Sequence, residues 1–234
     1  MNKRKKNEQQ TNGVSLITLV DHSSPVSERY RTIRTNIQFA TAANHAIKTL
    51  VVTSSGPGEG KSTTAANLAV VFASSGQRVL LVDADMRKPT VHKTFLLENR
   101  VGLSNVVSSD VTINEAIQRS TIPNLSIMTS GPKAPNPSEL LASARMDQLV
   151  TNLKEAFDFV IFDMPPVVAV TDAQIMSSKA DGTLLVIREN VTRKDSLLKA
   201  RELLAMVKAN VLGAVYNGST DEKDQGYYYY GTNE

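Results

Sequence analysis

A β-rich run, Thr49-Leu50-Val51-Val52-Thr53, leads straight into Ser55-Gly56-Pro57-Gly58-Glu59-Gly60-Lys61-Ser62, and a helical pattern begins at Lys61. Gly56, Gly58 and Gly60 let the backbone curl tightly and aim its N–H groups inward without side-chain clashes. The helix that follows adds roughly half a positive charge at its N-terminus. A concave set of N–H donors, a flexible cation and a hydroxyl are what a metal-bound triphosphate needs. Lys61 then reaches the β- and γ-phosphates, and Ser62 ligates Mg²⁺. The expected ATP-binding residues are Gly56, Pro57, Gly58, Glu59, Gly60, Lys61, Ser62 and Thr63. The one departure is Ser55, which stands where such loops usually open with glycine.

The alternation of apolar runs and helical patterns continues along the chain. Runs at 78–82, 125–128, 158–162, 182–187 and 211–216 read as strands. Helices are expected over 25–43, 61–73, 102–119, 137–156, 172–179 and 193–209, with Gly76 capping the second. Continuously apolar strands separated by helices indicate a parallel sheet covered on both faces. The fold class is therefore α/β, a P-loop NTPase with a mostly parallel central sheet flanked by helices. The expected organisation is a flexible arm over 1–24, one domain over 25–217 and a flexible tyrosine-rich tail over 218–234.

Such sheets bind ligands outside the carboxyl ends of their strands. Asp83 and Asp85 follow the strand at 78–82, and Asp163 follows the strand at 158–162, so all three carboxylates belong to that edge. A Mg²⁺–ATP site needs carboxylates to hold metal-bound water and to accept a proton from the attacking group. A single strand-end Asp is as often a turn former or helix cap; three on one edge weaken that account. Asn217 follows the last strand and is placed either against adenine or in an ordinary Asn-Gly turn with Gly218.

Composition excludes several classes. At 234 residues, with 41% hydrophobic and 21% charged side chains, the chain suits one soluble globular domain. It has no cysteine, so neither disulfides nor thiolate metal sites arise. No apolar run approaches the ~20 residues of a membrane span, and no secretory leader is legible. The simplest expectation is a cytoplasmic protein. The formal charge of +3 resides in Lys3, Arg4, Lys5 and Lys6 with Glu8, which leaves the rest neutral. A neutral body argues against a nucleic-acid-binding face. The basic cluster is either a solvated end or a contact for anionic lipid.

Five ordered motifs give the chain a resemblance to a known family. These are the loop 55–62, the segment Val79-Leu80-Leu81-Val82-Asp83-Ala84-Asp85-Met86-Arg87, the segment Val160-Ile161-Phe162-Asp163-Met164-Pro165-Pro166, the spacing Glu28-x-x-Arg31-x-x-Arg34, and the cluster Tyr227 to Tyr230. Together they resemble the bacterial tyrosine kinases of capsule and exopolysaccharide synthesis, in their separate cytoplasmic Gram-positive form. The resemblance implies an ATP- and Mg²⁺-dependent protein-tyrosine kinase that autophosphorylates Tyr227, Tyr228, Tyr229 and Tyr230 in trans. It implies a homo-oligomeric ring assembled through Glu28, Arg31 and Arg34. It also implies a membrane-anchored activator of the polysaccharide chain-length-control type, which recruits the kinase to the inner face of the cell membrane. By position, Lys61 and Ser62 hold phosphates and Mg²⁺, Asp85 and Asp163 organise the metal shell, and Asp83 is the candidate base.

Alternatives stand beside these implications. Glu28, Arg31 and Arg34 also fit a solvated ladder on one helix face. A tyrosine run is otherwise a docking segment or an edge strand. Residues 217–227 span about 36 Å when extended, enough to reach their own site or a neighbour's. Arg87 and Lys88 face phosphate, a neighbour or solvent. The rival function is an assembly-switch ATPase of the partitioning or septum-positioning type. Such proteins usually carry an early loop lysine where this chain has Gly56, and they have no need of a tyrosine run.

Overall fold

The computed structural model describes residues 13–43 and 47–219. Among these, seven strands form one sheet: β1 (Thr49–Ser54), β2 (Val79–Asp83), β3 (Ile117–Arg119), β4 (Leu125–Met128), β5 (Phe159–Asp163), β6 (Gly182–Arg188) and β7 (Val211–Asn217). Their spatial order is β3-β4-β2-β5-β1-β6-β7, and every neighbouring pair is parallel except β3 with β4. The helices are α1 (Ile17–Val20), α2 (Pro25–Ala43), α3 (Lys61–Ser74), α4 (Val91–Thr94), α5 (Leu103–Ser108), α6 (Ile113–Ala116), α7 (Pro137–Ala142), α8 (Ala144–Ala156), α9 (Asp172–Lys179) and α10 (Lys194–Met206). None of the described helices is long and apolar enough to cross a membrane.

The unbroken apolar runs become strands because both faces of the sheet are covered. All six residues of β1 are buried. Leu50 and Val52 join Leu81, Ile161 and the buried face of α3 in one core. Val51, Leu80, Val82, Val160 and Phe162 join side chains of α7, α8, α9 and α10 in the other. The period of two along each strand thus feeds two separate layers. Helix α3 is buried from Thr64 to Ala73, sandwiched between sheet and α2. Phe72 stacks on Phe159 of β5 with ring centroids 4.1 Å apart. Gly76 ends that helix at φ 90°, a left-handed value that a side chain would resist.

Three expectations change. The helix expected over 102–119 is two short helices and a strand. Ser109 leaves the helical conformation, and the Thr112 hydroxyl with Glu115 forms a capping box that starts α6 afresh. The helix expected over 137–156 breaks at Ser143, whose extended backbone ends α7 while its hydroxyl accepts the Met146 N–H to begin α8. The flexible arm expected over 1–24 does not extend that far. From Val14 the chain lies on the α3 side of the sheet, with Val14, Leu16 and Ile17 against the core. There Thr18 donates its N–H to Asn67 Oδ1 at 3.1 Å and its hydroxyl to the same oxygen at 2.9 Å, while Asn67 Nδ2 donates to the Ser15 carbonyl at 2.8 Å. The basic cluster at 3–6 and the tyrosines at 227–230 lie outside the described residues.

Because β1, β2, β5, β6 and β7 run parallel, their carboxyl ends gather on one edge. The opposite edge is stapled by two other aspartates. Asp158 accepts the Arg78 N–H at 2.8 Å and its guanidinium at 2.7 Å. Asp181 Oδ2 accepts the N–H groups of Lys48 and Thr49, each at 3.0 Å, and the Thr49 hydroxyl at 2.9 Å; its Oδ1 takes Lys154 Nζ at 2.7 Å.

Candidate active site

The glycine-rich loop leaves β1 at the carboxyl edge and is closed from within. Glu59 is buried and accepts both the Ser55 N–H at 2.9 Å and the Ser55 hydroxyl at 2.7 Å. This gives a physical account of the serine at the loop's first position: its hydroxyl supplies a donor that glycine lacks. The Glu59 side chain is thereby committed to the loop itself. Gly58 and Gly60 take φ of 77° and 97°, which places Lys61 at the first turn of α3.

Around Lys61 the three strand-end carboxylates converge. Asp83 and Asp163 are partners in the β2–β5 register. Lys61 Nζ donates to Asp85 Oδ2 at 3.0 Å and lies 3.5 Å from Asp163 Oδ1. Ser62 Oγ is 3.3 Å from the same ammonium. Burial pushes the Lys61 pKa down, but Asp163 and Asp85 more than offset it, so it is raised and the lysine stays charged. Asp163 is fully buried; burial raises its pKa, opposed by Lys61 and Ser62. Neither Asp163 oxygen has a hydrogen-bond partner of good geometry among the described residues. Asp85 is held by Lys61 and by the Lys88 N–H at 3.0 Å.

Asp83 differs from the other two. One oxygen, Oδ2, accepts the Thr90 and Val91 N–H groups at 3.0 and 2.9 Å, which fixes the carboxylate's orientation. The other, Oδ1, is buried and has no partner among the described residues. Burial first, and the neighbouring Asp163 charge second, raise the Asp83 pKa to about 7. A fixed carboxyl whose second oxygen has no partner among the described residues retains the capacity to take a proton.

The residues present fit a magnesium ion. Ser62, Asp85 and Asp163 offer hard oxygen donors, and the two Asp163 oxygens are buried at a desolvation cost that a cation or its bound water relieves. No group of three or more carboxylates and histidines among the described residues is close enough to form an all-protein cage. Magnesium keeps waters and binds through one or two carboxylates plus phosphate oxygens, so the donors it would use here are Ser62, Asp85 and Asp163.

Comparison with known proteins bears directly on this arrangement. A family profile described as an AAA domain matches residues 47–209. Tyrosine-protein kinase YwqD of Bacillus subtilis is 50% identical over 220 residues, spanning 94% of this chain and 92% of that protein. The putative tyrosine-protein kinase CapB of Staphylococcus aureus is 42% identical across 88% of this chain and 90% of its own length. The chain belongs to the bacterial tyrosine-kinase family. Among solved structures, the chimerical protein CapA2B2 superposes on this kinase with a TM-score of 0.82 at 43% identity, covering 86% of this chain and 88% of that one.

The other residues of the kinase singled out in its sequence make contacts of their own. Thr63 occupies the first turn of α3, with its carbonyl accepting Asn67 Nδ2 at 2.9 Å. Asn217 reaches back across the edge and donates to the Glu59 carbonyl at 3.2 Å. A Cβ on Gly60 would collide with that Asn217 side chain, so the glycine is required by close approach as well as by φ. Arg87 faces neither phosphate nor solvent alone. Its guanidinium grips the buried Asp172 at 2.9 and 3.0 Å, and Ser138 shares the contact. Glu28 and Arg31 pair with each other on the exposed face of α2, and Arg31 also donates to the His22 carbonyl. Arg34 departs from that stripe: its Nη1 donates inward to the Val71 carbonyl of α3 at 3.2 Å.

Arg188 went unrecognised in the sequence. It closes β6 and donates to the Gly58 carbonyl at 2.9 Å, bracing the phosphate loop from the side opposite Asp85. Nothing local distinguishes it from any other strand-end arginine, because its partner is 130 residues away.

Proposed function

We propose that this chain transfers the γ-phosphoryl group of ATP, with Mg²⁺, to tail tyrosines Tyr227, Tyr228, Tyr229 and Tyr230, in trans within a homo-oligomeric ring. The observation that carries the reading is Asp83, whose Oδ2 is pinned by two backbone N–H groups while its Oδ1 is buried without a partner among the described residues. A phenol with pKa near 10 is neutral at pH 7 and benefits from a carboxylate that accepts its proton as the new bond forms. In the proposed step the phenol oxygen bonds to the γ-phosphorus, the bond to the β,γ-bridging oxygen breaks, ADP leaves, and Asp83 Oδ1 takes the phenol proton. Lys61 swings from Asp85 and Asp163 toward the phosphates, and the loop N–H groups hold the β-phosphate. Ser62, Asp85 and Asp163 would hold magnesium, which would supply charge neutralisation to the phosphates.

The parallel direction of β7 supports the tail as substrate, because the chain passes Asn217 on the edge that carries the loop. The exposed Glu28–Arg31 pair supports a role for that face between copies; Arg34 would serve by seating α2 on α3. An activating partner anchored in the membrane, recruitment to that membrane's inner face, and control of capsule or exopolysaccharide synthesis follow from the family as proposals for this chain.

The test is incubation of the purified chain with Mg²⁺–ATP, with and without a candidate activator's cytoplasmic segment, followed by mapping of phosphate by mass spectrometry. Lys61→Met and a variant with residues 227–230 changed to Phe run alongside. Phosphotyrosine in the tail that requires Lys61 is the expected result; ATP hydrolysis without phosphotyrosine under either condition overturns the reading. Replacing Glu28, Arg31 and Arg34 with Ala is expected to give monomers on light scattering, and an unchanged mass rejects the ring contact.

A further inference from the structure

Beside the catalytic carboxylates lies a cleft of about 580 Å³ that the proposed chemistry does not use. Its walls come from the segment after Asp85, from α4 and from the loop after β4, and it is lined by Lys88, Thr90, His92, Lys93 and Lys133 among others. No acidic side chain lines it. Arg87 at its margin is already neutralised by Asp172. Lys88, Lys93 and Lys133 form no ion pair among the described residues, and all three are exposed. His92 Nδ1 is buried with no hydrogen-bond partner. The cleft also touches the reaction centre, since the Thr90 N–H in its wall is one of the two that fix Asp83.

A positive concavity next to a base that must receive a tyrosine selects for negative charge at a fixed distance along the substrate. The tail carries that charge. Asp221, Glu222 and Asp224 outnumber Lys223 in the stretch before the tyrosines, and Asp224 stands three residues before Tyr227. Three extended residues cover about 10 Å, the separation at which a tyrosine at Asp83 would hold Asp224. We infer that this cleft is the substrate-recognition subsite of the kinase, in which Lys88, Lys93 and Lys133 hold the acidic segment Asp221–Asp224 of a tail that presents its tyrosines to Asp83. The inference rests on the proposed tail phosphorylation and adds to it a reason why these tyrosines are chosen.

The experiment uses the full-length chain with its own tail silenced, residues 227–230 changed to Phe and Asp221, Glu222 and Asp224 changed to Asn. The probes are a peptide of residues 218–234 and the same peptide with those three acids changed to Lys. Lys93→Glu/Lys133→Glu is expected to raise KM for the native peptide roughly tenfold, with kcat and the KM for ATP unchanged, because both substitutions lie on the surface and away from the phosphates. The charge-reversed peptide is expected to show the opposite preference, poor with the silenced parent and restored with the double variant. Equal KM values for both peptides with both proteins overturn the subsite. Should the silenced parent phosphorylate neither peptide with or without the activator's cytoplasmic segment, the kinase reading falls, and fluorescence anisotropy of the labelled peptides still decides the cleft. There the same tenfold loss and charge-swap rescue support it, and indifference to either charge overturns it.

Discussion

The two ends of the same parallel strands treat aspartate in opposite ways. At the amino-terminal edge Asp158 and Asp181 are saturated with donors, and both pKa values are lowered. The hydrogen bonds from Arg78 bring Asp158 to about 2. For Asp181, burial pushes upward but Lys154 and the Lys48 and Thr49 donors prevail. At the carboxyl edge Asp83 and Asp163 are more deeply buried, have oxygens with no partner, and have raised pKa values. The first pair stabilises the fold, whereas the second is kept at a cost that a cation with its water shell or the hydroxyl of a reacting phenol relieves.

The largest effect expected from breaking this contrast is at Asp83. Asp83→Asn keeps an oxygen for the Thr90 and Val91 N–H groups but cannot accept the phenol proton. Tail phosphorylation should fall about 10²- to 10⁴-fold, with ATP affinity within about threefold of the parent. A loss under tenfold in single-turnover assays would assign the base elsewhere. Asp181→Ala should do the reverse. Removing the acceptor of three hydrogen bonds and the Lys154 ion pair should cost about 2–4 kcal/mol in urea denaturation. The rate per folded molecule should change by less than about twofold.

Asp163→Asn sharpens the comparison further. A carboxyl with a raised folded-state pKa costs stability wherever it is ionised, so the amide should raise the melting temperature while abolishing turnover. A lower melting temperature would show that Lys61 makes the ionised carboxylate a net stabiliser. The smallest effect belongs to Asp158. Its folded pKa of about 2 lies below the ordinary 3.8, so its contribution is full above about pH 4 and lost as pH falls toward 2. Asp158→Asn should therefore flatten the acid limb of the thermal stability curve in that window, by little because the pair with Arg78 is exposed. An unchanged acid limb would remove Asp158 from the list of staples.

The strand assignments were readable because each buried strand is a run of apolar residues bounded by turns, and their ends fall within a residue or two of those observed. The helices were less so where a small polar residue restarts the pattern. Ser143 and Thr112 look like ordinary interior positions until their hydroxyls are seen accepting N–H groups one turn on. In the site, Lys61, Ser62 and the three aspartates were legible because strand ends impose their meeting place. Arg188 on Gly58, Asn217 on Glu59 and Arg87 on Asp172 join segments far apart in sequence, and no local spacing encodes them. Arg34 shows the converse error: a regular three-residue spacing suggested one shared surface, and the side chain turned inward to α3.

The anchoring of Thr18 to Asn67 ties the segment before α2 to the helix that carries the phosphate-binding lysine. Asn67 lies less than two turns beyond Lys61 on α3, and its amide grips the Ser15 carbonyl on one side and the Thr63 carbonyl on the other. The segment Ser15–Thr18 and the first turn of α3 therefore share one side chain, and a shift of either is felt by the other through Asn67. Asn67→Ala would remove that shared contact while leaving the backbone of the loop in place.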